Sequence, residues 1–78
     1  MSVFEQLRGT LAASLGVTPD TISSTTRQAD LSKWDSLAHI NLMVALESTF
    51  DITLEVEDFA SLTSVPAILA YLQNHGIE

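Results

Sequence analysis

Asp35-Ser36-Leu37-Ala38-His39-Ile40-Asn41-Leu42-Met43-Val44-Ala45-Leu46-Glu47-Ser48-Thr49-Phe50 is the stretch that decides how this chain folds. Wound at about 100° per residue, it gathers Leu42, Met43, Leu46 and Phe50 on one side, an ordinary stripe for packing inward. Leu37, Ile40 and Val44 fall on a second side, set off from the first by Ser36 and Glu47. Asn41, Ser48 and Thr49 fill the remainder. The spacing predicts a helix over 36–50, with Asp35 as its N-cap. Its apolar arc is broader than a helix needs when it packs on one side only. Either neighbouring helices wrap it as the central element, or Leu37, Ile40 and Val44 form a docking patch beside Ser36, rimmed by Asp35 and Glu47. The second reading is preferred, because the patch and the acids surround one serine.

Upstream, Ser2 and Glu5 have the capping-box spacing, and Phe4, Leu7, Leu11 and Leu15 recur at helical intervals until Gly16 stops them. A first helix over about 3–15 follows. Residues 16–35 read as a long connection: Pro19-Asp20 is a turn signal, and Ser23-Ser24-Thr25-Thr26 has no amphipathic pattern. A loop of this length in a small domain is usually functional or pinned. Val17, Ile22, Leu31 and Trp34 are the expected anchors. Downstream, Asp51-Ile52-Thr53-Leu54 alternates and is expected to run extended, with two apolar side chains inward. A short helix over 55–60 begins with acids, as the helix dipole favours. Ser64 then caps a last helix with Pro66 in its first turn, a buried stripe of Val65, Ile68, Leu69 and Leu72, and Gly76 at its end. The expected fold is all-α, a small four-helix bundle of three long helices and one short. A long loop separates the first two helices, and residues 1–78 form a single domain.

Hydrophobic residues make up 46% of the chain, so a packed core is expected and disorder is not. The absence of cysteine removes both a disulfide framework and a thiolate metal site. No apolar run approaches the ~18 residues of a membrane span, and MSVFEQLRGT does not read as a signal peptide. A cytoplasmic protein is expected. Charge is unevenly placed. Residues 1–33 balance Glu5, Asp20 and Asp30 against Arg8, Arg27 and Lys33, whereas residues 34–78 hold seven acids and no Lys or Arg, so the net charge of −7 lies from Asp35 onward. Such a surface disfavours nucleic acid and anionic membrane and steers basic protein partners toward it. The same acids also serve solubility.

Ser36 makes a poor nucleophilic catalyst. His39 lies three residues on and Asp35 is adjacent, but no G-x-S-x-G elbow is present and so small a bundle offers little cleft. No catalytic residue is assigned. His39 points toward the inward stripe, which suits a partly buried, hydrogen-bonded ring, or one lining the mouth of an interior pocket. His75, in the last helical turn, expects an ordinary cation or carbonyl role. The histidines lack metal-ligand spacing, and Glu55, Glu57 and Asp58 do not match a calcium loop, so no metal site is assigned. Modification suits Ser36 better. A helix N-terminus offers unpaired N–H groups and positive dipole charge to a phosphodiester attached there.

Asp35-Ser36-Leu37, followed by Ile40, Leu42, Leu46-Glu47, Phe50, Ile52, Asp58 and Ser64-Val65, resembles the acyl carrier proteins and related peptidyl carriers over essentially the full length. That resemblance implies a four-helix bundle with a long first loop, and a carrier rather than an enzyme. It implies that Ser36 receives 4′-phosphopantetheine from coenzyme A through a magnesium-dependent phosphopantetheinyl transferase. The terminal thiol of that group then holds acyl cargo as a thioester. By the same resemblance Asp35, Leu37, Ile40, Val44 and Glu47 are partner contacts for acyl-loading and acyl-processing enzymes. Leu42, Leu46, Phe50, Leu54, Leu62 and Ile68 would wall the core, around a cavity if one shelters the chain. A monomer is expected.

Three departures bear on the role. Lys33-Trp34 stands where the family commonly has glycine, placing a bulky Trp34 where it could shape the docking surface or shield the arm. His39 and Asn41 intervene where fatty-acid carriers have more acids, and a threonine-rich 23–26 replaces an often more charged loop. Together they favour a dedicated polyketide-like or other specialised pathway over housekeeping fatty-acid synthesis. An unmodified helical interaction module is the competing class.

Overall fold

A computed structural model describes residues 2–77, so Glu78, the last of the acids counted above, lies outside the described residues. Among the described residues four α-helices form in chain order: α1 (Val3–Leu15), α2 (Ser36–Phe50), α3 (Val56–Ser61) and α4 (Val65–Asn74). The all-α bundle expected from the sequence is the one observed. Helix α1 begins where Ser2 Oγ accepts the Glu5 N–H at 3.1 Å. The Glu5 carboxylate returns to the Ser2 hydroxyl at 3.2 Å, not to the backbone N–H as a full capping box would. Gly16 ends the helix at φ 70°, and its N–H donates to the Ala12 carbonyl at 2.9 Å. Leu7, Leu11, Ala12 and Leu15 are buried, whereas Phe4 is half-buried with the Arg8 guanidinium 5.3 Å above its ring.

The long connection is more ordered than its composition suggests. It contains two single turns of 3₁₀ helix, Pro19–Thr21 and Gln28–Asp30. It is also stitched to the start of α4: the Gln28 N–H donates to the Thr63 carbonyl and the Val65 N–H to the Thr26 carbonyl, both at 2.8 Å. Ile22 and Trp34 are deeply buried anchors, and Val17 and Leu31 are half-buried. Thr26 is buried too, its Oγ1 accepting the Ser23 N–H at 2.8 Å. The hydroxyl-rich run is therefore a turn that satisfies its own backbone.

Helix α2 ends at Asp51, in the left-handed region at φ 54°, a conformation that Asp tolerates better than most residues. Residues 51–54 then turn Ile52 and Leu54 inward. Helix α3 starts one residue later than expected because Glu55 acts as its cap, its N–H donating to the Asp58 carboxylate at 2.9 Å. No residue of α3 is buried. Ser64 Oγ caps α4 by accepting the Ala67 N–H at 3.1 Å, and Pro66 sits in the first turn, where its missing N–H costs nothing. Val65, Ile68 and Leu72 are buried and Leu69 is half-buried. These side chains close one core with Leu7, Leu11, Leu42, Met43 and Leu46.

Candidate functional site

The chain reaches Ser36 through a tight approach. The Trp34 N–H donates to the Leu31 carbonyl at 3.0 Å, turning the loop and dropping the indole into the core. Asp35 follows in extended conformation, and its Oδ1 accepts the Ala38 N–H at 2.8 Å. That cap starts α2 at Ser36 itself. Ser36 is exposed, and among the described residues no hydrogen bond engages its hydroxyl. The first turn of a fifteen-residue helix lies beneath it, with the partial positive charge of the macrodipole.

Leu37, Ile40 and Val44 are 70%, 50% and 57% exposed, which excludes the reading in which neighbouring helices wrap this face. Leu42, Met43 and Leu46 take the inward stripe as expected, with Phe50 half-buried beside them. Val56, at the start of α3, is a further exposed apolar side chain that the sequence reading did not single out. The acids at the rim are less free than expected. Glu47 is half-buried, and its Oε2 accepts the Leu54 N–H at 2.9 Å, fastening the segment after α2 back onto the helix. Asp51, Glu55 and Glu57 are exposed and Asp58 half-exposed, so the acidic half of the chain lies along this same region of sequence.

Trp34 does not shape the docking surface or shield the serine. It is 2% exposed, because its indole N–H finds a partner inside: Nε1 donates to His39 Nδ1 at 3.0 Å. His39 is itself buried, and its Nε2 meets the Phe59 carbonyl at 2.6 Å. The indole can only donate and the carbonyl can only accept, which assigns the neutral Nε2–H tautomer to His39. The partly buried, hydrogen-bonded histidine was legible; its partners, distant in sequence, were not. His75 takes the carbonyl role, its Nδ1–H donating to the Tyr71 carbonyl at 2.8 Å while the rings stack with centroids 4.0 Å apart.

Away from the serine, the backbone N–H of Arg27 and then its guanidinium hold the Asp30 carboxyl below its ordinary range. Burial, followed by the charges of Asp58 and Glu55, pushes the Tyr71 hydroxyl upward. A concavity of about 320 Å³ lies between Ser2, Val3, Leu69, Gln73 and Ile77. None of the expected cavity wall (Leu42, Leu46, Phe50, Leu54, Leu62, Ile68) lines it. Those core side chains pack against one another.

Comparison with known proteins settles the family. The family model described as "Phosphopantetheine attachment site" matches residues 5–72, a span that contains the whole serine turn and α2. This chain belongs to the acyl carrier family. It is 29% identical over 76 residues to the acyl carrier protein of Bdellovibrio bacteriovorus, covering 97% of each chain. It is 30% identical over 74 residues to the acyl carrier protein of Campylobacter hominis, covering 95% of this chain and 94% of that one. It is also 36% identical over 72 residues to the non-reducing polyketide synthase sorB of Penicillium rubens, of which it spans 3%. Members of the acyl carrier family are carriers, not catalysts, and bear a covalently attached 4′-phosphopantetheine. The serine turn of this carrier fits such a group. An exposed hydroxyl stands on a helix N-terminus whose dipole favours an anion, and the bulky Trp34 two residues before it is buried in the core.

Proposed function

We propose that Ser36 is the residue that carries 4′-phosphopantetheine, and that the chain as one domain delivers thioester-linked acyl cargo in a dedicated biosynthetic pathway. One observation carries the assignment: an exposed, unengaged serine hydroxyl at the first residue of α2, inside the family match. In the loading step Ser36 Oγ attacks the phosphorus next to the pantetheine end of coenzyme A. An O–P bond forms at serine as the phosphoanhydride bond breaks. Adenosine 3′,5′-bisphosphate leaves, and the serine proton passes to a base on the transferase. The bound group supplies the terminal thiol that holds cargo, which is how a cysteine-free chain takes part in thiol chemistry.

Asp35, Leu37, Ile40, Val44 and Glu47 form the surface that the transferase and the acyl-loading and acyl-processing enzymes contact. Acidic steering by Asp51, Glu55, Glu57 and Asp58 together with the small apolar patch suits fast, weak association with basic partner surfaces. A cytoplasmic monomer fits this composition. The dedicated pathway is supported by the similarity to a segment of a polyketide synthase and by the uncharged, exposed Asn41 on α2. A housekeeping fatty-acid role is the second reading, favoured by the match along nearly the whole length of two free-standing acyl carrier proteins. Growth after deletion of the gene separates the two. The loading claim is tested by intact mass after incubation with coenzyme A, magnesium and a broad-specificity transferase. The expected gain is one phosphopantetheine, mapped to Ser36 and lost in Ser36→Ala, whose helicity stays that of the parent. No gain on folded protein with several transferases points to an unmodified interaction module.

A further inference from the structure

We propose that His39 is a positioning residue that ties α3 to the turn presenting Ser36, and thereby sets how readily a transferase engages that serine. The functional half of this statement rests on the Ser36 assignment above. Three parts of the chain meet at one imidazole. Trp34 brings the end of the long loop, donating through Nε1 at 3.0 Å. His39 itself belongs to the first turns of α2. Phe59 brings α3, its carbonyl accepting from Nε2 at 2.6 Å. The Trp34 and His39 rings are tilted by 34° with centroids 6.1 Å apart, so the contact is a hydrogen bond and not a stack.

Each end needs this bond. The Phe59 carbonyl lies in the last turn of α3, among the acceptors that a helix cannot satisfy from its own backbone. Helix α3 has six residues, none buried, and a helix that short does not hold itself together. His39 therefore acts as its C-terminal cap from another helix. At the other end, the indole N–H is a lone donor inside the core, and Trp34 stands two residues before Ser36. Fixing the indole fixes the backbone that leads into the Asp35 cap. The same ring must accept at one nitrogen and donate at the other, so replacing it by an apolar side chain strands both partners at once. The placement of α3 and the placement of the serine turn then loosen together.

The test compares the parent with His39→Leu, His39→Gln and Trp34→Phe. Gln keeps a donor in reach of Phe59, while Phe at position 34 removes only the indole N–H. In His39→Leu the KM of the carrier for the transferase is expected to rise about 2- to 30-fold, the range produced by changes at coupling residues, with kcat nearly unchanged. Amide hydrogen exchange across residues 56–61 should quicken in His39→Leu and return toward the parent rate in His39→Gln. In the parent, ¹⁵N spectra should show the Nε2–H imidazole and a Trp34 indole proton slow to exchange. Equal KM and equal protection of 56–61 in parent and His39→Leu overturn the proposal. So does a fast-exchanging indole proton in the parent, which decides the matter even if His39→Leu fails to fold. Absence of loading in the parent overturns the Ser36 assignment instead, and leaves the exchange measurement to judge the tie between His39 and α3.

Discussion

Glu47 lies half-buried on α2 with its Oε2 accepting the Leu54 N–H at 2.9 Å, seven residues further along the chain. From its position alone it reads as a rim acid for partners, yet the backbone has claimed its carboxylate. A donor left without a partner at a part-buried site costs about 1–3 kcal/mol. Glu47→Ala is therefore expected to lose about that much in urea unfolding, whereas Glu47→Gln, which still offers an oxygen, keeps most of it. Unchanged stability in Glu47→Ala would show that the bond is not held in solution. Reversing the charge with Glu47→Lys would then weaken partner binding and the fold together, so its effect on affinity must be read beside its unfolding midpoint. Ser36 is the opposite case. Its local setting, after a good cap and at a helix start, was legible from neighbours within three residues, because capping is a local interaction.

At the scale of the element, α2 carries two apolar faces with separate tasks. Leu42, Met43 and Leu46 vanish into the core, while Leu37, Ile40 and Val44 remain in solvent. Ile40, half exposed, contributes little to folding, so Ile40→Ala should change unfolding free energy by no more than about 0.5 kcal/mol. Its loss should nevertheless weaken transferase or pathway-enzyme binding by roughly 1 kcal/mol or more, as central apolar interface residues do. Calorimetry or surface plasmon resonance with the transferase checks this, and unchanged affinity for every pathway enzyme removes Ile40 from the interface. The two stripes were visible in the periodicity, but the periodicity could not say which would be covered. The loop before α2 shows a sharper limit. Gln28 to Thr63 and Val65 to Thr26 are backbone bonds between distant segments, and backbone pairing leaves no side-chain signature to read.

Across the whole molecule, one core is shared by three helices and the loop anchors, so its stability is vulnerable to a single truncation. A chain of this length has roughly 4–12 kcal/mol to lose at ~0.05–0.15 kcal/mol per residue. Leu42 is fully buried, and Leu42→Ala is expected to remove about 2–5 kcal/mol, a large share of the total. Chemical unfolding measures it directly; a loss below 1 kcal/mol would mean that the core collapses around the gap. The Cα radius of gyration of 11.2 Å is close to the ~11.5 Å expected of a compact chain this size, so the long loop lies against the bundle rather than away from it. The sequence by itself determined that four helices form, the caps of α1, α2 and α4, the inward stripes and the setting of Ser36, because each depends on neighbours within a turn or two. Only the tertiary structure decided that Leu37, Ile40 and Val44 stay exposed, that Glu47 serves Leu54, and that Trp34 turns inward to His39 and Phe59. Those outcomes depend on which surfaces and unpaired polar groups meet after packing, and a one-dimensional pattern does not contain that information.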